Sequence, residues 1–310
     1  MSTITTKDAD DSKHHCAACG DSDYGGGSLK ACSACDLVKY CNRACQVAHR
    51  PAHKKACKNR LAELFDDKLF KQPPPNEDCP ICYLRLPIEG GQRMYQACCG
   101  KMLCYGCVDA NMVAAADTEK FKCVFCRTQA SSSDEEVIER TKKRVEANDA
   151  VAMYNLGTYY HYGAMGLRQD QHAKALELYH KSAKLGNHHA HFNLSVCYQT
   201  GSIGEKDTRK EIYHKQLAAM AGNVKARCNL GMDEGNAGNM DRAYKHLMIS
   251  ANGGCDLSIE AVQEGYKSGF VTKDDYTKTT RAYDNSIDEM KSDDRDRSAA
   301  FRGKVQSWDG

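Results

Sequence analysis

The residues with the clearest chemistry in this chain are cysteines set in close pairs. Of 18 cysteines in 310 residues, all but Cys197, Cys228 and Cys255 lie between Cys16 and Cys126. One ladder reads Cys79/Cys82, Cys98/Cys99, Cys104/Cys107 and Cys123/Cys126, with three of its four pairs spaced C-x-x-C. An earlier ladder reads Cys16/Cys19, Cys32/Cys35 and Cys41/Cys45, followed by His53 and Cys57. A C-x-x-C pair puts two thiolates on one tight turn, and two such turns complete a tetrahedral zinc site. Cys41/Cys45 and His53/Cys57 are each four residues apart, so on a helix each pair shares a face. Eight ligands per ladder imply two sites per ladder, and up to four zinc ions in the chain.

The rival chemistry is disulfide formation. Against it, the N-terminal run MSTITTKDADDSKHH is polar and lacks the apolar core of a signal peptide. No window approaches the roughly 18 apolar residues of a membrane span. The expected compartment is therefore reducing, cytoplasmic or nuclear, with no membrane association, and clustered cysteines there usually bind metal. Lys+Arg 43 against Asp+Glu 41 gives a net charge of only +2. That balance provides no field for nucleic acid or anionic lipid. The one basic run, His49 to Arg60, sits among thiolates, so nucleic acid is not an expected partner. Each ladder is too short and too poor in large apolar side chains to fold on its own core, and metal binding would supply folding free energy.

The elements that must position these ligands follow in order. Residues 1–14 read as a disordered tail, and 15–58 as the first zinc module. Residues 59–76 form a linker. In it Leu61, Leu64, Phe65 and Leu69 make a short amphipathic helix over 58–72, stopped by Pro73, Pro74 and Pro75. The second module spans 77–128. Its helix is expected over Asp109–Thr118, with Met112, Val113 and Ala116 packing on the knuckles. Residues 129–148 hold a linker helix opened by a capping box, Ser133 to Glu136, and supported by the Glu139/Lys143 pair.

From 149 to 254 the chain repeats. AMYNLGTYYHYG returns as AHFNLSVCYQTG and ARCNLGMDEGNAG, at intervals of 38 and 36 residues between Ala152, Ala190 and Ala226. Two helices per period of this length mark a solenoid. Leu156, Leu194 and Leu230 are equivalent core positions, and the three alanines mark close helix crossings. Asp170, Asp207 and Asp241 are expected to cap each second helix, with Gly186, Gly222 and Gly253 closing it. Residues 255–300 provide capping helices, one over Ser258–Tyr266 and one capped by Thr272 to Asp275; 301–310 is a tail. Cys197, Cys228 and Cys255 have no knuckle partner and read as small buried hydrophobes. There is no nucleophile motif, no P-loop and no paired carboxylate site, so no catalytic residue is assigned. The fold class is small zinc-stabilised α+β modules followed by an all-α helical-repeat solenoid.

Three resemblances sharpen this. The Cys79–Arg127 ladder resembles a RING finger, which implies interleaved pairing. Cys79, Cys82, Cys104 and Cys107 would share one zinc; Cys98, Cys99, Cys123 and Cys126 would share the other. Lys101 stands where most members have a ligand histidine, so Cys99 takes that slot, and Val124 replaces the usual proline. The resemblance implies that Ile81 contacts a ubiquitin-conjugating enzyme and Arg127 steadies ubiquitin. The first ladder resembles a MYND finger, with Tyr40 and Gln46 in place. It implies one zinc on Cys16, Cys19, Cys41 and Cys45, another on Cys32, Cys35, His53 and Cys57, and a surface role for His49. Arg50 occupies the tryptophan slot that proline-rich peptide binders use. The repeats resemble Sel-one-like repeats, a variant of tetratricopeptide repeats. The order of modules, over about 15 to 290, resembles a group of diatom-type zinc-finger proteins. Two readings stay open: a RING-type ubiquitin-ligase adaptor with a repeat scaffold for its partners, and a non-enzymatic scaffold whose fingers only fold and dock. Ile81 and Arg127 favour the first; Val124 and the missing histidine favour the second.

Overall fold

The computed structural model of the chain describes residues 15–22, 28–88, 90–114, 121–168 and 171–306. The expected disordered tail over 1–14, the expected cap Asp170, and Ala116 through Thr118 lie outside them. The chain divides into two units, Met1–Lys71 and Gln72–Gly310.

In the first unit, strand β1 (Lys30–Ala31) pairs antiparallel with β2 (Lys39–Tyr40), in the register Lys30↔Tyr40. Helix α1 (Arg43–Leu69) follows. Asn42 starts it: its side chain accepts from the Cys45 N–H at 2.9 Å. The helix runs unbroken for 27 residues and contains Pro51, so the separate short helix expected over 58–72 does not exist. Nothing between Cys57 and Leu61 breaks a helix, and the solvated face can spare the one bond that Pro51 removes. The buried cluster of this unit is Cys16, Cys32, Cys35 and Tyr40. Three of these four are candidate ligands, which explains physically why such a unit needs metal.

The second unit begins at Gln72. Its zinc-module part holds β3 (Arg93–Gln96), antiparallel to β4 (Lys101–Cys104), then α2 (Tyr105–Ala114). Helix α2 starts four residues before the expected Asp109, because the Cys104/Cys107 pair is itself its entrance. Met112 and Val113 are 49% and 77% exposed rather than packed on the knuckles; the apolar side of α2 is Cys107 and Val108. Helix α3 (Asp134–Glu146) opens as expected, with Ser133 Oγ accepting from the Glu136 N–H at 3.3 Å. The Glu136 carboxylate, however, reaches back to the Ser132 N–H rather than to Ser133.

The repeats are three helix pairs: α4 (Ala150–Tyr162) with α5 (His172–Lys184), α6 (His188–Thr200) with α7 (Thr208–Met220), and α8 (Val224–Asn236) with α9 (Met240–Asn252). Ala152, Ala190 and Ala226 are fully buried at the crossings, and Leu156, Leu194 and Leu230 are buried beside them. Asp207 caps α7 through the Arg209 and Lys210 N–H groups. Asp241 does not cap α9: the cap is Asn239, and Asp241 lies in the first turn. The left-handed closing residue of α9 is Gly254, not Gly253. Three further helices follow: α10 (Asp256–Lys267), α11 (Lys273–Met290, capped by Thr272) and α12 (Asp293–Gln306). Helix α12 extends past residue 300, where a tail was expected. It returns to α2, where the Arg295 backbone leaves no room for a side chain at Gly106: a Cβ there would lie 2.8 Å from the Arg295 nitrogen.

Candidate metal centres

Four turns share one construction. In each, the N–H four residues after the first cysteine donates to that cysteine's carbonyl: Gly20 to Cys16 (2.8 Å), Asp36 to Cys32 (3.0 Å), Tyr83 to Cys79 (2.8 Å) and Arg127 to Cys123 (2.9 Å). All four donors have positive φ, from 56° to 80°. Only Gly20 does so without steric cost; the other three are held there by the turn. Each knuckle is thereby closed so that its two thiols point one way. Main-chain bonds then fasten it to its surroundings: Ala17 donates to Lys39 O at 2.9 Å, Cys32 to Val38 O at 2.8 Å, and Cys123 to Thr128 O at 2.8 Å.

The ligand atoms gather into four groups, each with all members within 4.8 Å of one another: Cys16, Cys19, Cys41 and Cys45; Cys32, Cys35, His53 and Cys57; Cys79, Cys82, Cys104 and Cys107; Cys98, Cys99, Cys123 and Cys126. A tetrahedral zinc with Zn–S of ~2.3 Å spaces its sulfurs about 3.8 Å apart. The observed separations fit: Cys16–Cys41 3.6 Å, Cys19–Cys45 3.8 Å, Cys79–Cys107 3.9 Å, Cys82–Cys104 3.8 Å, Cys98–Cys126 3.4 Å and Cys99–Cys123 4.0 Å. In the second group His53 Nε2 lies 3.1 Å from Cys35 Sγ. Three groups offer four thiolates, and the second offers three thiolates and an imidazole. Both donor sets are those of closed structural zinc sites, and all four groups are compatible with zinc. In both ladders the first pair joins the third and the second joins the last.

Adjacent Cys98 and Cys99 reach one centre because the chain folds over Gln96. Both Cys99 and Gly100 donate to its carbonyl, at 3.1 and 2.7 Å, and Gly100 takes φ +73°. Gly100 also lies under the Arg144 guanidinium, where a Cβ would come within 2.3 Å of Nη2. Among the thiols of the third group, the Cys104 hydrogen bond holds Cys79 below its usual value against its burial, and the same contact pushes Cys104 well up. Metal must displace the remaining thiol protons, so metal affinity falls as pH falls.

Sequence reasoning brought together the sixteen ligand candidates. It missed the residues that brace them: Asn42, Arg144, and Arg295 on α12. Asn42 could have been found, since asparagine just before a helix is a capping signal. His49 stands outside every group; its Nδ1 pairs with Tyr40 OH at 3.1 Å and its ring stacks on His53. Ile81 packs partly buried against the third group's core, and Arg127 is exposed.

Residues 16–57 match the MYND finger model. The MYND finger thus covers both centres of the first unit. Residues 150–187 and 188–223 match the Sel1 repeat, over the pairs α4/α5 and α6/α7. The α8/α9 pair continues the same cap pattern at Asn223. Two solved structures resemble the chain at low similarity. A Sel1 repeat protein from Oxalobacter formigenes is 21% identical over 51% of this chain, with a TM-score of 0.45. A protective antigen of uropathogenic Escherichia coli displaying an SLR fold is 23% identical over 49%, with a TM-score of 0.41. This chain spans 66% and 33% of their lengths, less than two thirds of either. No helix among the described residues is long and apolar enough to cross a membrane.

Proposed function

We propose that this zinc-binding interaction protein acts as a RING-type ubiquitin-ligase adaptor. The Cys79–Cys126 module would recruit a ubiquitin-conjugating enzyme, and the Sel1 repeats and MYND finger would hold the substrate. The supporting observation is the interleaved pair of four-cysteine groups with Ile81 on its first knuckle and an exposed Arg127 closing its last. The side chains near these two, Tyr83 and Phe125, are exposed apolar surface of the kind a partner covers. Such an adaptor needs no nucleophile. It holds a thioester and an acceptor amine together, and the gain comes from effective concentration and orientation.

A second reading, a non-enzymatic scaffold, is favoured by Val124 in place of the usual proline and Lys101 in place of the usual histidine. The two part in a ubiquitin-discharge assay with Ile81→Ala and Arg127→Asn. Asparagine tolerates the left-handed backbone that Arg127 adopts, so the variant removes charge without unfolding the knuckle. Discharge by wild type that both variants abolish supports the adaptor. No discharge by zinc-loaded wild type with a panel of conjugating enzymes leaves the scaffold.

A further inference from the structure

One face of α1 carries residues that neither zinc binding nor packing uses. Arg43, Val47, Arg50, Lys54, Lys58 and Leu61 recur at steps of three or four, forming one stripe along the helix. They line a cleft of about 460 Å³, whose opposite side is Ser33 and Ala34 of the Cys32/Cys35 knuckle. Among the described residues, no acidic one lines it. The four cations are exposed, and among the described residues none of them makes an ion pair; Arg60, off this stripe, does, with Glu63. Like charges one turn apart repel, so an anionic occupant relieves a cost the helix otherwise carries. Val47 and Leu61 are 61% and 43% exposed between and beside these charges, an apolar component the same occupant can cover.

We propose that this cleft binds an extended acidic peptide segment whose carboxylates recur at every second residue, with an apolar side chain on the same face beyond each end of the acidic run. The spacing supports that form. Arg50, Lys54 and Lys58 lie about 6 Å apart along the axis, from a rise of ~1.5 Å per residue. Alternate side chains of an extended strand are spaced by about 6.7 Å. Between Arg43 and Leu61 the stripe runs about 27 Å, room for roughly eight extended residues. Nucleic acid is the poorer occupant. A sugar–phosphate chain offers nothing to Val47 or Leu61, which lie in the same stripe as the cations.

The proposal rests on the protein-interaction reading of the MYND finger, and one experiment separates their failures. Fluorescence anisotropy is measured on the zinc-loaded full chain with four labelled probes of equal length: a serine-based peptide with Leu, Asp, Asp, Asp and Leu at alternate positions, its Asn/Leu counterpart with Asn for each Asp, a neutral proline-rich peptide, and a single-stranded oligodeoxynucleotide. Variants Arg50→Glu and Lys54→Glu replace exposed side chains that are not ligands, and unchanged zinc content verifies their fold. Binding of the acidic peptide that weakens at least tenfold in both variants, weakens with added salt and is absent for the Asn/Leu probe is the expected result. Equal affinity of Arg50→Glu for the acidic peptide overturns the proposal. Binding of the proline-rich probe alone overturns the acidic specificity and keeps the peptide-binding reading. Binding of the oligonucleotide alone overturns both.

Discussion

Arg295 donates from Nη2 to Cys82 Sγ at 3.4 Å, joining residues 213 positions apart. The same guanidinium gives Nη1 to the Arg85 and Met290 carbonyls, at 2.7 and 2.6 Å, and Nη2 to the Leu84 carbonyl at 3.2 Å. One buried fork therefore fixes the main chain after the first knuckle of the second ladder and supports one of its thiolates. Two turns further along α12, Arg302 clasps both carboxylate oxygens of Asp109, at 2.6 and 2.9 Å, and lies 3.5 Å over the Tyr105 ring. The last helix of the chain is thus a brace for a metal centre that begins more than two hundred residues earlier.

Removing that brace should loosen the metal. For Arg295→Met, zinc affinity at the Cys79/Cys82/Cys104/Cys107 centre is expected to fall about 10–100-fold, the usual cost of losing an outer-shell partner. Arg295→Lys should not restore it, since one ammonium cannot reach three carbonyls and a thiolate at once. Competition with a chromogenic chelator measures this; wild-type zinc retention in Arg295→Met would reduce the contact to simple packing.

The first helices of the second and third repeats are started by Asn187 and Asn223. Asn187 Oδ1 accepts from the His189 and Ala190 N–H groups at 2.9 and 3.0 Å, and Asn223 Oδ1 from the Ala226 N–H at 2.8 Å. Asn187→Ala should lower unfolding free energy by about 1 kcal/mol. Asn223→Ala should cost more, because its buried amide also contacts His188 and His189. Urea titration followed by circular dichroism ranks the two.

Acid should weaken the repeats by a separate route. Burial first, then Arg93 for His188 and the neighbouring His191 for His214, holds these two down at about 4, and burial holds His189 well below its usual value. Unfolded histidine takes its proton near ~6.5. Between that value and about 4 the unfolded chain binds protons that the folded chain refuses, so stability falls as pH drops through this window and is fully present above it. His214→Gln should show a smaller drop in melting temperature from pH 7.5 to 5 than wild type, a comparison in which acid loss of zinc is common to both chains. An equal drop would place the acid sensitivity elsewhere.

Ligand spacing was legible because it is local: four of the five C-x-x-C knuckles are closed by a bond spanning four residues, and the fifth, Cys104/Cys107, opens helix α2. The repeat core was legible for a similar reason, with small alanines and leucines returning at one interval. What escaped is non-local or decided by small differences. Nothing in DDRDRSAAFR announces that Arg295 and Ser298 will be buried against a zinc module. The choice of Asn239 over Asp241, and of Gly254 over Gly253, is a one- or two-residue shift between equally suitable residues. Helix α2 began early because two ligands, not a capping residue, start it. The exposure of Met112 and Val113 follows from where α12 and the knuckles press on α2, which periodicity over ten residues does not reveal.

Four metal centres, two per ladder, are expected to keep the two zinc modules folded. Zinc stoichiometry of the purified full chain, measured beside Cys99→Ala, tests it most directly. Four ions per chain in wild type and three in the variant are expected, with the fourth lost from the group containing Cys98, Cys123 and Cys126. Two ions in wild type, or four retained in Cys99→Ala, would contradict it.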